Sequence, residues 1–187
     1  MNPQKFLEAI QSHIGGDINS SENIKEVQKG RYLTYIPHSR IMESQGSLTS
    51  NFKEGVLEVD FITKGEILLT VYTIPPHCLL IKHENIFSKF FDRIHISSEV
   101  KIQVDSFDSN YIIQNVSEEK AKKTINSEFM YIIHNLEPFV YFEMTDRKYK
   151  LLKKVDIKEY STIGKTIKDI QELLKIVNIC KNIWRMR

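Results

Sequence analysis

The sequence predicts an α+β fold: a mainly antiparallel sheet with helices packed on one face, including a long C-terminal amphipathic helix. Three observations predict it. Val56 to Ile62 alternates polar and apolar residues, turns at Thr63-Lys64-Gly65-Glu66 and returns through Ile67 to Thr73, which is a β-hairpin pattern. Phe139 to Met144 and Tyr149 to Leu152 form a second hairpin about Asp146-Arg147. From Ser161 onward, Ile163, Ile167, Ile170, Leu174 and Val177 recur at helical steps, and Leu173, Ile176, Cys180, Ile183 and Trp184 widen the stripe. Strands joined by short turns, with helices set apart, read as α+β rather than as a doubly wound parallel sheet.

The remaining elements follow in order. Asn2-Pro3 opens a helix, because proline is tolerated in a first turn. Phe6, Leu7, Ile10 and Ile14 are its apolar side, and Gly15-Gly16 ends it. Asp17 to Asn23 is a polar loop, and Ile24 to Lys29 is a short helix or an extended lead-in. Tyr32 to Ile36 is a strand stopped by Pro37. His38 to Lys53 is dominated by Ser, Gln, Gly, Thr and Asn. It reads as the least structured stretch, a mobile loop or a pair of ragged edge strands, with a disordered or crossing segment ahead of a binding loop. Pro75-Pro76 breaks the first hairpin. His77 to His83 is a further strand, more continuously apolar and therefore central. Ile86-Phe87 and Phe90-Phe91 have helical spacing. Val100, Ile102 and Val104 alternate with Lys101, Gln103 and Asp105, the period of a half-buried strand.

Asp105 to Asn110 then supplies turn chemistry, with Phe107 packed inward. Tyr111 to Ile113 is a short strand. Ser117 is an N-cap, with Glu118 and Glu119 in the first turn and Lys120, Lys122 and Lys123 later, as the helix dipole favours. Asn126 or Ser127 caps the next helix. Its apolar side is Phe129, Met130, Ile132, Ile133 and Leu136, and Pro138 stops it. No Pro/Gly/Ser linker divides the chain, so residues 1–187 read as one domain. A strand-rich first half and a strand-and-helix second half fit two similar halves sharing one sheet.

The run Phe107-Asp108-x-x-Tyr111-Ile112-Ile113, then Glu118-Glu119 entering a helix, then Glu128-Phe129-Met130, a hairpin and a terminal amphipathic helix, resembles a family of uncharacterised bacterial proteins. That family carries an F-[DE]-x-x-F strand, a short helix and a helix with a Phe/Leu-Met-Glu-like opening. The resemblance spans roughly Gly30 to Asn182 in element order, with motif residues between Phe107 and Met130. This chain has Val104-Asp105 where members often carry Gly-Asp, and Tyr131 where an acidic residue is common. Many members are membrane-associated, and no activity is assigned to them. The resemblance therefore implies a fold and a membrane-linked setting, and no catalytic residue.

Composition bounds the function. The 187 residues suffice for one well-buried core. A net charge of +2 and a pI near 8.4 fall short of the concentrated basic face of a nucleic-acid binder. Cys78 and Cys180 lie far apart and read as reduced, packed thiols. No apolar run approaches the ~20 residues of a membrane span. Residues 1–16 lack the apolar core of a signal peptide, so the expected location is cytoplasmic.

Chemistry-bearing groups are few. His77, Cys78 and His83, with His38 or His95 as a distant fourth ligand, are the nearest approach to a metal cluster, but their spacing is poor. A metal site is not expected. Asp105 and Asp108 flank Phe107, and a turn explains them better than acid–base chemistry. The seven glycines form no phosphate loop, and no serine or cysteine sits in a catalytic signature. No catalytic residue and no cofactor are implied.

Lys148, Lys150, Lys153, Lys154 and Lys158 form a basic stretch that reads as a solvated edge strand protected by lysine ahead of a surface for RNA or membrane headgroups. The candidate interaction residues are Trp184, Arg185 and Arg187 at the C-terminal end, an aromatic group with cations suited to a membrane headgroup layer. The leading reading is a non-enzymatic interaction module acting through a protein partner or at the inner membrane surface. The alternative is a small-molecule or lipid binder, or a hydrolase, with a site between the sheet and the C-terminal helix. Nucleic-acid binding ranks third.

Overall fold

The computed structural model describes residues 1–19, 44–62, 65–83 and 99–185. The expected strand at Tyr32 to Ile36, the short helix or turn expected at Ile86 to Phe91, and His38, His95 and Arg187 lie outside the described residues. Helix α1 spans Pro3–Ile14. The Asn2 side chain accepts a hydrogen bond from the Lys5 amide at 2.8 Å, and Phe6, Leu7 and Ile10 are buried. Gly15 and Gly16 then turn the chain at positive φ. A Cβ on Gly16 would collide with the Thr49 carbonyl, so only glycine lets the chain pass this close to the sheet.

Eight strands form one sheet: β1 (Asp17–Asn19), β2 (Ser44–Phe52), β3 (Gly55–Ile62), β4 (Glu66–Tyr72), β5 (Leu79–His83), β6 (Tyr111–Gln114), β7 (Tyr141–Met144) and β8 (Lys148–Lys154). Their order is β1-β2-β3-β4-β8-β7-β5-β6, with every neighbouring pair antiparallel. The helices are α1, α2 (Asp105–Asp108), α3 (Glu118–Thr124), α4 (Ser127–Asn135) and α5 (Ser161–Arg185). The α+β class, the antiparallel sheet and the long C-terminal helix all agree with the sequence reading. Among the described residues, no helix is long and apolar enough to cross a membrane.

The period-two pattern sorts the side chains. Leu57, Val59 and Phe61 on β3, Ile67, Leu69 and Val71 on β4, and Tyr149 and Leu151 on β8 share one face. They join α1, α3, α4 and α5 in the main core. The opposite face carries a smaller apolar cluster of Ile62, Leu68, Leu80, Tyr141 and Leu152, also buried. Between those residues lies a cross-strand ion pair, with Lys150 Nζ 3.2 Å from Glu143 Oε2.

Four expectations are corrected. Asp17–Asn19, read as the start of a polar loop, is the short strand β1, paired with β2. Residues 44–52, read first as a disordered or crossing segment with ragged edge strands as the alternative, form the nine-residue strand β2. Its only fully buried large apolar residue is Leu48, so pairing with β3 organises it more than its own pattern does. The strand expected at Val100 to Val104 is a single bridge, Val100 to Ile113, followed by α2. Gln103 takes a left-handed φ of 66°, and the Asp108 carboxylate accepts from the amides of Ile102, Gln103 and Val104. Those three donors are thereby withheld from a strand ladder. The lysine-rich strand β8 is no edge: it sits between β4 and β7.

Lys153 points from β8 into the helix side, where its Nζ is 2.7 Å from Asp169 Oδ1 on α5, both nearly covered. Burial raises the Asp169 pKa from 3.8, with Lys153 opposing the shift. The folded state thus binds this proton more tightly than the unfolded chain does. Stability from this group is therefore largest in acid and declines as pH rises from about 3.8 through the raised folded value. Asp169→Ala alone, which strands Lys153, is expected to cost about 3–5 kcal/mol. Lys153→Met with Asp169→Leu is expected to be neutral or up to about 4 kcal/mol more stable. Urea unfolding at neutral pH measures both.

Candidate functional site

The last turns of α5 meet two other elements at one corner. The link from Thr73 to Cys78 joins β4 to β5 and carries Ile74, Pro76 and His77. Helix α3 turns Lys123 and Thr124 toward the same point. The rings of His77 and Trp184 meet edge to face with centroids 5.4 Å apart. His77 Nε2 lies 3.3 Å from Thr124 Oγ1. The Lys123 ammonium stands 4.0 Å from the indole centroid, a cation–π contact. Lys181 Nζ donates to the Glu54 carbonyl at 2.6 Å, which ties α5 to the β2–β3 turn. Beside Trp184 opens a cleft of about 240 Å³, lined by Ile74, Pro76, Cys180, Lys181 and Trp184. Ile74 is 77% exposed. Tyr72, two residues upstream of it, and Val56, the register partner of Tyr72 on β3, are exposed large apolar side chains as well.

Burial lowers the His77 pKa from 6.5, and nearby Lys120 lowers it further. Burial raises the Cys78 thiol, with Asp146 and Glu143 adding to the shift and Lys120 opposing it. Burial pushes the Cys180 thiol up to about 12. Neither sulfur is an activated nucleophile.

The structure disperses the other sequence candidates. His77 and Cys78 precede β5, so strand alternation does not order them. His83 packs at the far end of β5 against Tyr111, with ring centroids 5.7 Å apart. Among the described residues no three His, Cys, Asp or Glu side chains converge to hold a metal. Asp108 is spent on backbone amides, and Asp105 is exposed. The basic stretch is no continuous surface. Lys150 and Lys153 are buried in ion pairs on opposite faces, and Lys148 lies 5.6 Å over the Tyr72 ring. Trp184 is half-buried, and the side chain of Arg185 lies outside the described residues. The space between the sheet and α5 is filled by Tyr149, Leu151, Ile176, Val177 and Cys180, all fully buried.

One polar cluster has no counterpart in the sequence reading. The Tyr111 hydroxyl donates to Glu137 Oε1 and lies 3.0 Å from His134 Nδ1. Its ring stacks on Phe139, 6.0 Å away. Burial and Glu137 hold the phenol protonated, so the cluster fastens the α4–β7 corner instead of supplying a nucleophile. Its members are 23 and 26 residues apart, and no local pattern joins them.

No protein-family model matches the chain, and no curated protein is significantly similar to it in sequence. A solved structure that is similar is the crystal structure of the mycobacterial trehalose monomycolate transport factor A, TtfA. The likeness has a TM-score of 0.61, covers 94% of this chain and 94% of that one, and carries 7% sequence identity. At that identity the likeness is one of fold.

Trp184 is the sole tryptophan, so its fluorescence reports the corner alone. The folded state favours neutral His77. Stability contributed by that neutrality is complete above about 6.5 and is lost as pH falls from there through the lowered folded value. Trp184 emission is expected to drop in the same window, because the imidazolium would face Lys120, Lys123 and the indole. His77→Gln should flatten the titration. An unchanged titration in that variant would remove His77 as its origin.

Proposed function

We propose that this protein is a non-enzymatic interaction module that docks on the anionic inner surface of a membrane through the Trp184 corner. The observation that carries the reading is Ile74, 77% exposed on the rim of a cleft that Trp184 lines. An exposed β-branched residue beside a half-buried indole resembles the apolar foot of an interfacial protein. Positive charge gathers at the same corner: Lys181 lines the cleft, Lys123 stands over Trp184 and Lys120 lies near His77 and Cys78, and each lysine near an anionic leaflet is worth about 1 kcal/mol. Trp184 acts here as a wall of the cleft on whose rim Ile74 stands. Lys123 and His77 already occupy much of its ring.

Two further points support the reading. The fold is shared with a factor named for trehalose monomycolate transport. The chain also resembles an uncharacterised bacterial family, many of whose members are membrane-associated.

Co-sedimentation with vesicles tests the proposal. The full chain is expected to bind vesicles containing phosphatidylglycerol at low salt, with a blue shift of Trp184 emission. Burying one isoleucine is worth about 1.5–3 kcal/mol, so Ile74→Asp should weaken binding by about tenfold or more. A wild-type chain that stays in the supernatant with anionic vesicles at low salt would sink the proposal.

A further inference from the structure

A second cleft, of about 220 Å³, opens between α4 and α5. Its residues on α5 lie half a turn around the helix from Cys180, Lys181 and Trp184, so it occupies the opposite flank. Lys175, Asn178 and Asn182 stand on one stripe of α5, and Ile179 and Ile183 form an apolar floor. Asn126 and Glu128 close it from the start of α4.

The polar groups are left ready for a ligand. Asn126 Oδ1 is taken by the Phe129 amide at 2.9 Å, which leaves its NH₂ donors. Lys175 is already balanced by Glu172, with Nζ 2.9 Å from Oε1. The side chains of Glu128, Asn178 and Asn182 point to the cleft from the helices that carry them. Tyr131, 66% exposed, stands one turn along α4 from Glu128 on the same face.

This donor set selects a class of ligand. Each amide offers donors and an acceptor side by side, the complement of two adjacent hydroxyls. An anion would face the Glu128 carboxylate, and an apolar group would desolvate the Asn178 and Asn182 amides and the remaining NH₂ of Asn126. The ring face of Tyr131 suits the C–H face of a sugar. We propose that the α4–α5 cleft binds a hexose ring, either as a free saccharide or as the headgroup of a glycolipid. The site is distinct from the docking corner and does not depend on it.

Amide NMR of the full chain, titrated with glucose and with maltose, tests the inference. Saturable shifts of the Asn126, Asn178 and Asn182 side-chain amides are expected. Asn178→Ala with Asn182→Ala, both at exposed positions, should keep the melting temperature and weaken binding about tenfold. Tyr131→Ala should weaken it as well. Vesicles with and without a glucosyl diacylglycerol identify the source. Stronger sedimentation with the glycolipid assigns a headgroup, and saturable sugar shifts without that gain assign a free saccharide. No shift with either sugar and no gain from the glycolipid would overturn the inference, as would shifts that persist in the double variant. Binding to glycolipid-free anionic vesicles reads the docking proposal separately.

Discussion

The position of α5 on the sheet is the constraint on which the rest depends. This helix packs against α1, α3 and α4, so it joins the whole helix layer. One polar contact within its apolar seam sets its rotation: Asp169 against Lys153 of β8. Eleven residues later, three helical turns on, Cys180 returns to the same side and lies against Tyr149. The pair is costly to bury, as the raised Asp169 shows. Its value is therefore in register rather than in net stability. An all-apolar seam of Ile170, Leu173, Ile176 and Val177 would accept several rotations, whereas a buried carboxylate accepts only the one that reaches the ammonium.

The same logic runs through the sheet. Strand β8 carries lysines at alternate and adjacent positions, a composition that suits an edge. Its place is nevertheless interior, because each inward-facing charge meets a partner. Lys150 is directly opposite Glu143 on β7, and Lys153 meets α5 on the other face. Leu151 and Leu152, one on each face, join the two apolar clusters. The strand is polar in composition and apolar in context.

That distinction explains what was legible in the sequence. Helix α1, the β3–β4 hairpin, the β7–β8 hairpin, the Asn126 cap and α5 were readable because each signal is local: a capping residue, a turn glycine, or a period carried by the element itself. Strand β2 was not, since Leu48 and the terminal Phe52 are its only large apolar residues, four apart with polar residues between, and its order comes from β3. Val100 to Val104 misled for the converse reason. Its alternation is real, but Asp108, four to six residues ahead, draws the chain out of the ladder. Trp184 was legible as a terminal aromatic among cations. Its partners Ile74, His77 and Lys123 were not, because they come from segments 60 to 110 positions away that only the packing of α3 and α5 brings together.

The two candidate binding regions share one piece of helix. Cys180, Lys181 and Trp184 face the docking cleft, and Asn178, Asn182 and Ile183 face the amide cleft. Both are therefore rigidly related through the same turns, whose rotation is set upstream by Asp169 and Cys180. Their neighbours differ in kind. The docking cleft is bounded by the Thr73 to Cys78 link, outside any strand, and α4 bounds the amide cleft with its first turn fixed by the Asn126 cap. A change in the link would alter the docking rim while leaving the amide cleft in place. A slip of α5 along the sheet would disturb both, and it would first have to break the buried contact at Lys153.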